Sequence, residues 1–233
     1  MVGSIRHDAP IEPMKIYYVN PHRIDRTVTW TRISADRKSD EHPGFQPPKY
    51  RLAGRVFGGE WDRRDDYVTE STIYRSFVDH FVDDVPWEET EFYEETLAAI
   101  EKGAKPWDCA SRSDLDKRCA YLQGLYDRIA LEGYKTQEEL HETGDPTTSP
   151  FPAYRTLWDE IAVSVGRDGE LIFVDGRNRF VIARILGLDE VPVVILVRHE
   201  EWQRKRNRVV QRGLSASDVS DDHSTHPDLL PLI

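Results

Sequence analysis

The densest apolar patterning lies between residues 160 and 199. Leu171-Ile172-Phe173-Val174 and Val191-Pro192-Val193-Val194-Ile195-Leu196-Val197 are continuous apolar runs and predict buried strands. Between them, Asn178 to Leu186 has helical spacing and is closed by Gly187. Upstream, Glu160 to Val165 predicts a further strand, joined to the next by the turn Gly166-Arg167-Asp168-Gly169. Lys15 to Val19 predicts a short strand stopped by Asn20-Pro21. Pro86 opens a helix through about Lys102, with Phe92, Tyr93, Leu97 and Ile100 inward and Gly103 behind it. Leu115, Cys119, Leu122, Leu125, Tyr126 and Ile129 define a second helix. Ser113-Asp114-Leu115-Asp116 resembles a capping box at its start, and Gly133 ends it.

Other stretches break these periods. Residues 34 to 49 are polar and proline-rich, a loop or mobile insertion; Asp145 to Pro150 is a linker or loop. Gly58-Gly59-Glu60-Trp61-Asp62 reads as a tight turn carrying a large aromatic. Leu214 to Pro227 is rich in serine and aspartate and is expected to be mobile, whereas Asp228 to Ile233 is apolar enough to dock back onto the body. No internal repeat is visible. The mixture predicts an α/β fold (α+β by another convention): a small mixed sheet with packed helices and an N-terminal helical extension.

With 39% hydrophobic and 10% aromatic residues in 233, the chain holds enough apolar surface for a packed core. No stretch approaches the roughly 18 apolar residues of a membrane span, and Met1 to Asp8 lacks the apolar centre of a signal peptide. The expectation is a soluble, cytoplasmic protein with no membrane partner. The net charge of −11 repels nucleic acid in general. Twenty-three arginines against eight lysines, with many carboxylates, is a halophilic composition, in which acidity answers to solvent rather than to partners. Cys109 and Cys119, the only cysteines, have no zinc-site spacing and read as buried, inert thiols.

The chemistry concentrates in Asp175-Gly176-Arg177-Asn178-Arg179, between a strand and a helix. A glycine, two arginines and the free N–H groups of a helix N-terminus suit an anion, above all a phosphate. Arg179 can grip two phosphate oxygens, or pair in solvent with an acid such as Glu190. Gly176 allows close approach of a phosphate or serves the turn alone. Asp175 either caps the helix or binds Mg²⁺ and orients an attacking hydroxyl. Arg177 neutralises transferred charge or faces water; Asn178 bonds a phosphate oxygen or caps the helix. His199, at a strand end, reads as a surface residue, and Trp61, Trp107 and Trp158 as core or rim packing. The run from Arg198 to Arg212, with Arg204, Lys205, Arg206 and Arg208, reads as a solvated helix face. Contact with nucleic acid is its alternative, not favoured because no base-reading pattern accompanies the charge.

From about Leu122 to His199 the chain resembles the ParB/sulfiredoxin superfamily. The likeness runs from Leu125-Tyr126-Asp127-Arg128-Ile129 and Gly133-Tyr134-Lys135-Thr136-Gln137, through the hairpin, to Asp175-Gly176-Arg177-Asn178-Arg179, and on through Ala183, Gly187 and Val191-Pro192-Val193. It also looks like uncharacterised microbial ParB-like proteins with a Gly-Gly-x-Trp-Asp turn upstream. Arg177 stands where sulfiredoxins have their cysteine, which excludes sulfinic-acid reduction. Too few residues follow His199 for the DNA-reading domain of a partition protein. The free-serine-kinase branch comes nearest, with Asp175, Gly176 and Arg179 matching, and Asn178 standing where many relatives have histidine. That exchange removes a proton carrier but keeps a hydrogen-bonding group. The resemblance implies a nucleotide-binding domain over 113–212, an extension over 1–112 and a mobile tail over 213–233. It implies ATP or ADP (or CTP) with Mg²⁺, and a kinase or transferase acting on a small hydroxylated acceptor. Gly176, Arg177, Asn178 and Arg179 would cradle the phosphates, with Thr136 and Gln137 nearby; without the resemblance those two are an ordinary helix cap. The alternative is a nucleotide-sensing or DNA-binding regulator. A nuclease is a third, without an HxxxH, HNH or clustered-carboxylate pattern to favour it.

Overall fold

The computed structural model describes residues 8–35, 49–64, 66–213, 215 and 221–233, so most of the predicted 34–49 loop lies outside it. The protein is α/β, with a five-stranded mixed sheet. Its centre is β5 (Val191–His199), buried at all nine positions. On one side β5 pairs in parallel with β3 (Ile161–Val165), and β3 pairs antiparallel with β4 (Leu171–Asp175). On the other side it meets β1 (Ile16–Val19), antiparallel at Val191 to Val194, and β2 (Arg55–Phe57), parallel at Val197 to His199. The expected N-terminal extension therefore supplies two strands of the sheet. Residues 26–28 also line the outer edge of β4, through Val28 N–H to Phe173 O and Phe173 N–H to Arg26 O, both 2.9 Å.

Alternation explains why the strands read as unbroken apolar runs. Val163, Val165, Phe173, Val191, Val193 and Ile195 face one layer, with Phe180 and Ala183 of α7 (Arg177–Ile185) and Trp202 and Val209 of α8 (Glu200–Arg212). Ala162, Ile172, Val174, Val194 and Leu196 face the other, covered by Ile33, Leu52 and Trp61. Ile33 lies on α1 (Trp30–Ala35). A third apolar cluster joins Val181 and Ile182 of α7 to α2 (Thr72–Phe81), α3 (Glu91–Glu101) and α4 (Arg112–Glu132).

Local chemistry shifts some predicted boundaries. The helix expected from Pro86 is a 3-10 turn, Trp87–Glu89, followed by α3, because Thr90 accepts the Tyr93 N–H and restarts the chain as an N-cap. The cap of α4 lies two residues before the predicted one. Ser111 accepts the Asp114 N–H, and the Asp114 carboxylate returns to Ala110 N–H at 3.2 Å. Two further helices, α5 (Gln137–Glu142) and the single turn α6 (Pro152–Tyr154), lead into β3, and α9 (Asp221–Ser224) follows α8. Among the described residues no helix is long and apolar enough to cross a membrane.

The C-terminal stretch departs from a mobile tail from His223 onward. His226 donates its Nε2–H to Gly169 O at 2.8 Å and accepts the Asp228 N–H at Nδ1, 3.1 Å. Burial pushes its pKa down to about 4, which keeps that arrangement neutral. Asp228 is fully buried, its carboxylate held by Arg198 at 2.6 and 2.8 Å and by Trp202 Nε1 at 2.9 Å. Arg206 donates to Asp228 O, to Gln203 Oε1 and to Pro10 O. Two arginines of the basic run thus point inward, which corrects their reading as part of a solvated face; Arg204, Arg208 and Arg212 remain exposed.

Candidate functional site

The ends of the sheet differ in chemistry. At one end, the β3–β4 hairpin and the Gly58–Asp62 turn border an open polar cavity of about 210 Å³ lined by residues that include Arg26, Asp62, Arg167 and Glu170. Its charges are spent on one another. Arg26 forms a two-pronged pair with Glu170, and Arg167 binds Asp62 through its guanidinium and its backbone N–H. Burial alone would raise the Asp62 carboxyl; the Arg167 hydrogen bonds outweigh it and hold it below the ordinary range. His199 lies here too. It is buried rather than on the surface, with Nε2 on Gly59 O at 3.1 Å and Nδ1 accepting the Glu201 N–H at 3.2 Å, so it caps α8 and ties down the turn.

The opposite end carries the Asp175–Arg179 turn. Gly176 is the N-cap of α7 at φ 90° and, being glycine, offers no side-chain cap of its own. Asp175 Oδ1 accepts the Gly176 N–H at 2.8 Å. Arg177 is exposed and Asn178 half-buried; neither side chain makes a hydrogen bond among the described residues. The glycine is needed for two reasons. A Cβ there would lie 2.9 Å from the Ile161 Cα, and its positive φ is costly for other residues. Gly176→Ala is expected to destabilise the protein by about 1–3 kcal/mol. Gly103→Ala, at a positive φ but with nothing within 4 Å, should lose less in the same urea titration.

Arg179 turns back from this helix toward Glu160, at the head of β3. Its Nη1 lies 3.9 Å from Glu160 Oε2, too far for a hydrogen bond. Glu160 Oε1 accepts the Gln137 N–H at 2.6 Å. Three buried polar atoms here have no hydrogen-bond partner: Arg179 Nη1, Glu160 Oε2 and the Tyr134 hydroxyl. Burial pushes the Glu160 carboxyl up to about 7 and raises the Tyr134 hydroxyl as well. Beside them lies a small, mostly apolar groove lined by Leu125, Ile129, Tyr134, Lys135, Leu140 and Arg179, with room for about 20 Å³.

Thr136 and Gln137 are adjacent to this group, but the Thr136 hydroxyl and the Gln137 backbone N–H are already engaged. Thr136 forms a capping box with Glu139, its Oγ1 accepting the Glu139 N–H at 3.1 Å while its own N–H meets Glu139 Oε2 at 2.7 Å. Gln137 is buried and contributes its backbone N–H. Glu160 and Tyr134 were not among the residues singled out from sequence. The available signal was an acid at the very start of an otherwise apolar strand. The partner proposed for Arg179, Glu190, is exposed; Glu160 takes that place. No group of three or more His, Cys, Asp or Glu that can hold a metal ion occurs among the described residues. No protein-family model matches the chain, and neither a curated protein nor a solved structure is similar to it.

Proposed function

We propose that the protein binds a nucleotide by its phosphates at the first turn of α7 and transfers a phosphoryl group to a small hydroxylated molecule. The observation that carries this reading is the buried Arg179 Nη1, which has no hydrogen-bond partner, on the first turn of α7 and at the wall of a small groove. An unbonded buried donor is costly, and a phosphate oxygen arriving there would satisfy it with a charge-assisted bond. The α7 amides and Arg177 would share the anion. Phosphoryl transfer asks a protein mainly for positioning and charge neutralisation, and these are the functions such a turn supplies. The kind of reaction comes from the resemblance to the ParB/sulfiredoxin superfamily. Because no three-residue metal cage is present among the described residues, Mg²⁺ would enter with the phosphates and keep most of its water. The nucleic-acid alternative loses support from the inward turn of Arg198 and Arg206.

Thermal stabilisation by ATP, ADP, CTP and GTP with Mg²⁺ tests this reading in the wild type and in Arg179→Ala. One charge-assisted hydrogen bond contributes about 1.5–3 kcal/mol, so the variant should bind roughly 10- to 100-fold more weakly. No stabilisation of the wild type by any of the four would end the nucleotide reading.

A further inference from the structure

We propose that anion binding at the α7 turn is coupled to proton uptake by Glu160, whose carboxylate faces the Arg179 guanidinium at 3.9 Å in the unliganded protein and loses that charge to the ligand. The inference rests on the phosphate site proposed above and adds a positioning residue to it. Glu160 is 1% exposed, with Oε1 fixed by the Gln137 N–H and Oε2 unbonded. Among the described residues, Arg179 is the cation whose charge chiefly favours the ionised carboxylate. Asp159 on the same segment and Glu139 on α5 oppose it, as does burial; the Tyr134 hydroxyl faces the group but carries no charge.

The direction of coupling follows from these neighbours. With its pKa near 7, Glu160 is only partly ionised at neutral pH. A phosphate that draws the Arg179 guanidinium toward the N-terminal end of α7 removes the favourable charge and adds an unfavourable one. Both changes raise the carboxyl further, so a solvent proton forms an O–H bond at Oε2. A protonated Oε2 becomes a donor, whereas the bare oxygen had no partner. By linkage, uptake of one proton makes the affinity fall as pH rises, by at most tenfold per pH unit.

Calorimetric titration with ATP in saturating Mg²⁺, in two buffers of different ionisation heat, counts the protons. The wild type should take up a substantial fraction of one proton between pH 7 and 8.5 and bind up to tenfold more weakly per unit. Glu160→Gln should bind at least as tightly at the higher pH, without uptake and with a flat profile. The infrared band of a protonated carboxyl should also appear when ATP is added to the wild type, a readout that needs no variant. Binding without uptake, or uptake that persists in Glu160→Gln, overturns the coupling but leaves the phosphate site standing. Failure of the wild type to bind ATP, ADP, CTP or GTP removes the phosphate site, and the coupling falls with it.

Discussion

Asp228→Ala is expected to lower stability by about 3–5 kcal/mol, because it strands Arg198, which has no exposed surface, without its counter-charge. The carboxylate also receives Trp202 Nε1, and Arg206 lies 3.2 Å away, so one truncation leaves several buried donors unbonded. The loss reflects a charge left alone more than the worth of the pair. Arg198→Met combined with Asp228→Ala should therefore cost less than Asp228→Ala by itself. Urea titration of the two single variants, Asp228→Ala and Arg198→Met, and of the double variant decides the matter. If the double variant loses as much as the sum of both single ones, the two residues do not act as a pair. Acid should weaken the same clasp. Burial disfavours the Asp228 charge, but the Arg198 bonds hold its carboxyl below the ordinary range. Its contribution is present above the unfolded carboxylate pKa and is lost as pH falls through the lower folded value.

This clasp shows where sequence patterning stops. Strands β3, β4 and β5 were legible because burial on both faces writes a continuous apolar run, and α4 because its inward residues recur at helical spacing. Three-residue β2 has no such signature, since its position depends on β5 offering a free edge beyond β1. The inward Arg198 at the end of β5 and Arg206 on α8 look like solvated charge in sequence. What turns them is Asp228, 30 residues from Arg198 and meaningful only once the chain has folded back. The turn at Gly176 was legible from its glycine between strand and helix. Glu160 was not, because its character comes from the Gln137 amide, 23 residues earlier, and from Arg179 on another element.

Glu160→Gln should stabilise the unliganded protein by about 3 kcal/mol at pH 8 and by almost nothing near pH 4.5. The carboxyl has a reference pKa of 4.5 and is pushed up to about 7 in the fold, chiefly by burial. Below the reference value both states carry the proton, and burial costs no charge. As pH rises toward 7 the unfolded chain ionises first, and folding must oppose that ionisation. Above the folded value the full cost of the shift is present, at about 1.4 kcal/mol per pKa unit. This dependence runs opposite to that of Asp62 and Asp228, whose carboxyls are lowered and which lose stabilisation in acid. Glutamine keeps an oxygen for the Gln137 amide and carries no charge, so it removes the cost and retains the bond. Urea titrations of wild type and variant at the two pH values measure the difference directly. An equal change at both would mean that Glu160 is ionised without penalty. The carboxylate would then be held by Arg179 as an ordinary ion pair, and a phosphate would have to compete for that arginine against a full negative charge.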